Sequence, residues 1–201
     1  MKQLSFAILC SAALIFTGCR NENQSAVDRV EENTLETQNE TANGAATENG
    51  EPKELTIEIE PRSNSNLSGE AVFTEENGQV TMTAIIDGLS EGLHAIHLHE
   101  SADCSAEDGS SAGGHWNPTA EKHGEWGDAA GYHRGDIGNF KVDANGNGTI
   151  TKTTDQWCIG CDDQNKNIVG KAVVVHDGVD DFTSQPAGDA GSRVGCGSIR
   201  M

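Results

Sequence analysis

The sequence predicts an all-β domain: an antiparallel Greek-key sandwich or barrel of about eight strands, with two long functional loops. Three observations predict it. Aromatic residues make up only 4% of the chain while glycine reaches 24 of 201 residues, a composition that suits strands and turns better than a helical bundle. Short stretches alternate apolar and polar residues, as strands with one buried face require. Asn-Gly pairs sit between such stretches, the chemistry of tight hairpins. No repeat of about 20–50 residues is visible, which argues against a solenoid.

The chain opens on a signal-like segment, residues 1–18. Lys2 supplies a positive end, and Phe6 to Phe16 an apolar run too short to span a bilayer. It ends in Phe16-Thr17-Gly18-Cys19, which resembles a bacterial lipobox with Phe16 where Leu is usual. That resemblance implies lipidation of Cys19. Residues 19–53 then read as the lipidated N-terminus and a disordered acidic tether, since Asn, Glu, Thr and Gln cannot bury enough surface to offset ordering entropy. The formal charge of −19 argues against nucleic acid and against an anionic membrane surface as partners.

Residues 54–201 form the predicted domain. ELTIEIE (54–60) alternates as a half-buried strand. NLSGEAVFTEE and NGQVTMTAIIDGL are two strands joined at Glu-Asn-Gly. LHAIHLHE (93–100) follows as a strand. GNFKVDANGNGTITKT is a hairpin with Asn145-Gly146 and Asn147-Gly148 at its turn. IVGKAVVVH is a buried strand, and SRVGCGSIR a short last one. Two stretches lack strand patterning, from about Glu100 to Arg134 and from about Asp177 to Gly191. Loops that long in a compact domain are usually functional or disordered.

Three of the chain's seven histidines fall within six positions, at His94, His97 and His99. Side chains two apart share a strand face, so His97 and His99 lie together and His94 points the other way. Taken alone, such a pair is more often two polar residues on the solvent face of an amphipathic strand than a chelating pair. The remaining histidines decide between these: His115, His123 and His133 lie in the first long loop, and His176 sits at the edge of the second.

GLHAIHLHE, AGGHWNP, KHG, YHRGDIGN, VVVHDGVDD and AGSRVGCG occur in this order. With them the domain resembles the copper/zinc superoxide dismutases, from about Glu54 to Ile199. The resemblance implies copper held by His97, His99, His115 and His176, and zinc by His115, His123, His133 and Asp136, with His115 shared. Four nitrogens suit tetragonal Cu(II), and three nitrogens with one oxygen suit tetrahedral zinc. By the same resemblance Asp180 orients one copper and one zinc histidine, with Asp181 as the competing candidate. Arg193 lines the copper channel, and His94 is a structural brace. The implied activity is dismutation of superoxide to dioxygen and hydrogen peroxide, with His115 carrying a proton. A homodimer is one assembly the resemblance allows. With the lipobox, it implies the secreted bacterial lipoprotein form, membrane-anchored in the periplasm or at the extracellular face.

Cys10 leaves with the signal segment and Cys19 is taken by lipid, so four cysteines remain and three pairings are open. The resemblance implies Cys104 with Cys196, leaving Cys158 and Cys161 to each other. Three features depart from the family: the added Cys-Ile-Gly-Cys, a short second loop, and zinc-loop spacing that leaves Asp136 resting partly on the Ile-Gly-Asn after it. These departures leave the implied chemistry standing. The thiol pair also supports an alternative of another class, a copper-holding or copper-delivering lipoprotein without turnover. A third reading is a domain that binds metal only for stability.

Overall fold

The computed structural model describes residues 52–201. The signal-like segment, Cys19 and the tether up to residue 51 lie outside the described residues. Eight strands follow: β1 (Lys53–Pro61), β2 (Ser68–Glu76), β3 (Gln79–Asp87), β4 (Gly92–His99), β5 (Gly138–Val142), β6 (Gly148–Thr154), β7 (Ala172–His176) and β8 (Arg193–Ser198). Every pairing is antiparallel, and the order β1-β2-β3-β6-β5-β4-β7-β8 closes into a barrel. The connection from β3 to β4 passes over the β5–β6 pair, which is the predicted Greek key. Among the described residues the only helical element is a 3-10 turn, Ser110–Ala112.

Local chemistry explains most elements. Glu76 pairs with Gln79 across a two-residue turn in which Asn77 (φ 53°) and Gly78 (φ 74°) are both left-handed, the twist a hairpin prefers. The β5–β6 turn differs from the sequence reading. Gly148 is already the first residue of β6, paired with Val142. Asp143 Oδ1 makes the turn instead, accepting from the N–H groups of Asn145 and Asn147, both at 2.9 Å. Two boundaries also move. Lys53, read as tether, begins β1. Ile168–Lys171, read as strand, precedes β7 because Gly170 bends the chain there with φ 90°.

The alternation read from sequence becomes the barrel wall. Val80, Met82, Ala84 and Ile86 of β3 point inward with Ile57, Ile59, Ala71 and Phe73. On the solvent side Thr81 and Thr83 bond across to Thr153 and Thr151 at 2.9 and 3.1 Å. β4 and β7 break this alternation and are buried on both faces over His94–His99 and Ala172–His176. Ile96, Leu98, Val173 and Val175 fill the barrel, while the other face lies under residues 100–137 and 177–192.

Two devices hold the first loop on this wall. Cys104 is bonded to Cys196 of β8 across a sequence separation of 92 residues, with Cα atoms 5.8 Å apart. In the chain-entropy model a closure of that length stabilises by roughly 4–5 kcal/mol. Gly135 is the second device: a Cβ there would lie 2.1 Å from the Leu98 carbonyl, so only glycine lets the loop backbone donate and accept against β4. Cys158 and Cys161 are bonded to each other.

Candidate metal centre

The outer face of β4 and β7 carries the first histidines. His97 pairs with Val174 and His99 with Ala172, so His97, His99 and His176 project to one side of the wall. An irregularity between Val175 and His176 ends the β7–β8 ladder beside Arg193. His115 enters from the loop, where an isolated bridge sets it opposite His99. His123, His133 and Asp136 follow on the same loop. Their ligand-type atoms form two buried groups, His97/His99/His115/His176 and His115/His123/His133/Asp136, within each of which they lie within 4.8 Å of one another. His115 belongs to both.

Hydrogen bonds show which nitrogen of each ring is free. His97 Nε2 donates to Asp180 Oδ2 at 2.9 Å, His99 Nδ1 to the Gly113 carbonyl at 2.9 Å, and His176 Nδ1 to the Gly191 carbonyl at 3.4 Å. His123 Nε2 donates to Asp180 Oδ1 at 2.9 Å and His133 Nε2 to the Glu121 carbonyl at 3.2 Å. Each acceptor is an oxygen that cannot donate, so the proton sits on that nitrogen. The opposite nitrogens, His97 Nδ1, His99 Nε2, His176 Nε2, His123 Nδ1 and His133 Nδ1, are buried without a hydrogen-bond partner. Buried polar atoms are rarely left so. Five unpartnered ring nitrogens converging on two points fit two metal ions, with the metal displacing the proton that His123 Nδ1 otherwise carries. His115 Nδ1 lies 2.8 Å from Asp136 Oδ1 on one side, leaving Nε2 for the other.

Burial and the two carboxylates divide the charges. Burial pushes His176 down to about 3 and His115 to about 4, helped by neighbouring imidazoles, and lowers His99 well below its usual value. Burial also opposes charge on His123, but the flanking Asp136 and Asp180 carboxylates raise it to about 9. Asp136 and Asp180 would themselves be raised by burial. Hydrogen bonds from the histidines instead hold both well below the carboxylate range. His123 Nδ1 sits 3.1 Å from Asp136 Oδ2, close enough for charge attraction though misaligned for a hydrogen bond.

The sequence left Asp180 and Asp181 as rivals. It is the buried Asp180 that bridges His97 and His123, while Asp181 Oδ1 receives the N–H groups of Thr183 and Ser184, both at 2.9 Å. Gly188 presses on this bridge: a Cβ there would lie 2.2 Å from Asp180 Oδ1, and its φ is 69°. His94 is no member of either group. It bonds the His176 carbonyl at 3.1 Å and the Ser90 carbonyl at 2.9 Å. Arg193, with its Nη1 on the Gly109 carbonyl at 2.8 Å, lines a cleft of about 230 Å³ together with His99, His115 and His176. A larger groove of about 670 Å³, between Arg62 and Arg200, contains no histidine and lies away from this chemistry.

Two positioning residues carried no signal at the level of sequence. Asn139 clamps Asp180, donating to its carbonyl at 2.9 Å and accepting from its N–H at 2.8 Å. Gln185 does the same for His123, at 2.9 and 3.0 Å. Asn139 stands in the Ile-Gly-Asn already singled out beside Asp136, but nothing local says what an amide holds across the fold.

The family model described as copper/zinc superoxide dismutase (SODC) matches residues 67–199. The chain belongs to the copper/zinc superoxide dismutase family. Among solved structures it is similar to the clock protein EA4, at 32% identity, TM-score 0.63, over 73% of this chain and 93% of that one. It is also similar to a double mutant of a SOD-like protein from Bacillus subtilis, at 25% identity, TM-score 0.64, over 73% and 97%. The two histidine-rich groups match the copper and zinc sites of the superoxide dismutase family.

Proposed function

We propose that the protein is a superoxide dismutase, anchored by lipid on Cys19 and working in the periplasm or at the extracellular face through a tether of residues 19–53. The observation that carries the activity is the pair of buried groups sharing His115, with five buried ring nitrogens left without a hydrogen-bond partner. His97, His99, His115 and His176 would hold copper, and His115, His123, His133 and Asp136 zinc. Copper held there supplies one-electron chemistry, so that two superoxide ions and two protons become dioxygen and hydrogen peroxide.

The chain's own residues do the rest. Asp180 fixes the ring orientation of His97 and His123 together, coupling the two groups through one carboxylate. His115, buried and shared by both groups, is the residue whose Nε2 would take and give a proton on the copper side during turnover. Arg193 offers a cation in the cleft, where an anion of two atoms would arrive beside His99, His115 and His176. The two bridges suit an oxidising compartment.

The deciding experiment is a superoxide dismutation assay on purified protein loaded with both metals, with metal analysis alongside. One copper and one zinc per chain with turnover are expected, and His97→Ala should abolish activity. Full metal occupancy without turnover would favour the copper-holding alternative instead.

A further inference from the structure

Residues 155–171 join β6 to β7 and hold chemistry that dismutation leaves unused. Cys158 and Cys161 are bonded across a separation of three residues, a closure that restrains the unfolded chain far less than a long one. The loop's shape is held by other bonds. The Cys158 N–H donates to the Lys166 carbonyl at 2.8 Å, and its own carbonyl accepts from Ile168 at 3.0 Å. The Ile159 side chain is buried in the core. Its N–H donates to Glu75 Oε2 at 2.9 Å and its carbonyl accepts from Lys53 Nζ at 2.7 Å. Asn167 takes the Gly160 N–H at 3.1 Å and donates to the Cys161 carbonyl at 2.9 Å. All four residues of the ring are therefore anchored without the bridge. Opening it would leave two thiols facing each other on a backbone already in place.

A third sulfur lies there. The Met201 thioether packs on Gly160, 2.9 Å from where a Cβ on that residue would stand, and Met201 is 84% exposed. Two thiolates and a thioether form a soft donor set, suited to Cu(I) rather than to the hard or borderline ions that imidazole and carboxylate hold.

We propose that the reduced Cys158–Cys161 pair, with Met201, binds one Cu(I) ion at a site separate from the histidine groups. A dithiol reductant opens the bridge by thiol–disulfide exchange: its two thiols become a disulfide, and the Cys158–Cys161 bond accepts two electrons and two protons. Cu(I) then displaces the two thiol protons and forms two copper–thiolate bonds, while Met201 adds a neutral ligand. No electron moves in this binding step. The oxidised loop has no such site, so copper occupancy follows the redox state of the loop.

The test uses the purified full chain, reduced stepwise with dithiothreitol under nitrogen. Alkylation and peptide mapping identify the condition that frees Cys158 and Cys161 while the Cys104–Cys196 bridge persists. Cu(I) is then titrated against a chromogenic chelator, in parallel with a Cys158→Ser, Cys161→Ser double variant. The histidine groups contribute equally in both, so the difference isolates the loop. One additional equivalent with near-ultraviolet copper–sulfur absorption is expected, and Met201→Leu should weaken it. Equal stoichiometry in the two proteins overturns the proposal. So does an additional equivalent indifferent to Met201→Leu, or a loop bridge that never opens before Cys104–Cys196.

Discussion

Asp180 and Asp181 are neighbours in the chain with opposite surroundings, and they provide the sharpest residue-level test. Asp180 is buried and bonded to two histidines, while Asp181 is exposed and caps a turn. Partners that orient metal-binding histidines are worth about 10–100-fold in affinity. Asp180→Ala should therefore lower metal affinity by about that factor, and Asp181→Ala should leave it unchanged, as competition with a chelator would read. Equal losses would remove the bridge from the account. The titrating residues set a pH dependence for the metal-free domain. His99, His115 and His176 are lowered on folding, so the unfolded chain takes up more protons as pH falls below about 6.5 and stability drops on that side. His123 is raised to about 9, so its contribution is full below about 6.5 and fades as pH rises to 9. Denaturation midpoints of the metal-free protein should peak near neutrality and fall both ways. A midpoint still climbing at pH 9 would contradict the charge on His123.

At the scale of elements, the second loop folds back on its own Asp180 only because residue 188 has no side chain. Gly188→Ala introduces a Cβ 2.2 Å from Asp180 Oδ1 and strains a φ of 69°. Gly170→Ala is the control, since it strains a φ of 90° with nothing within 4 Å. Left-handed strain alone costs about 1–2 kcal/mol. Both variants should lose that much in denaturant unfolding, but only Gly188→Ala should also lose copper and zinc on dialysis. Retention of both metals by Gly188→Ala would show that the loop can shift without moving Asp180.

The whole molecule carries a formal charge of −19 and would repel an anion at long range. At physiological salt the Debye length is about 8 Å, so the groups inside the cleft dominate the last approach. Arg193 lines that cleft with the histidines. Arg193→Glu should depress the second-order dismutation rate well below that of Arg193→Lys, and the native rate should fall as salt is added. A native rate that rises with salt would mean that the global charge governs encounter instead.

The strands, the hairpin at Asn77-Gly78 and the seven histidines were legible in the sequence because they are local. Alternation reports one buried face, a two-residue turn needs two left-handed positions, and His97 and His99 share a face by strand parity alone. The family resemblance ordered the remaining histidines. What sequence could not contain was where separate segments meet. Whether Asp180 or Asp181 reaches the rings, that Asn139 and Gln185 clamp the backbone of Asp180 and His123, and which nitrogen of each imidazole stays free are outcomes of packing two loops onto β4 and β7. The same packing buries both faces of those strands and erases the alternation they would otherwise show. A strand's period is a property of its own backbone, whereas a hydrogen bond between residues 139 and 180 exists only when the closed barrel brings them together.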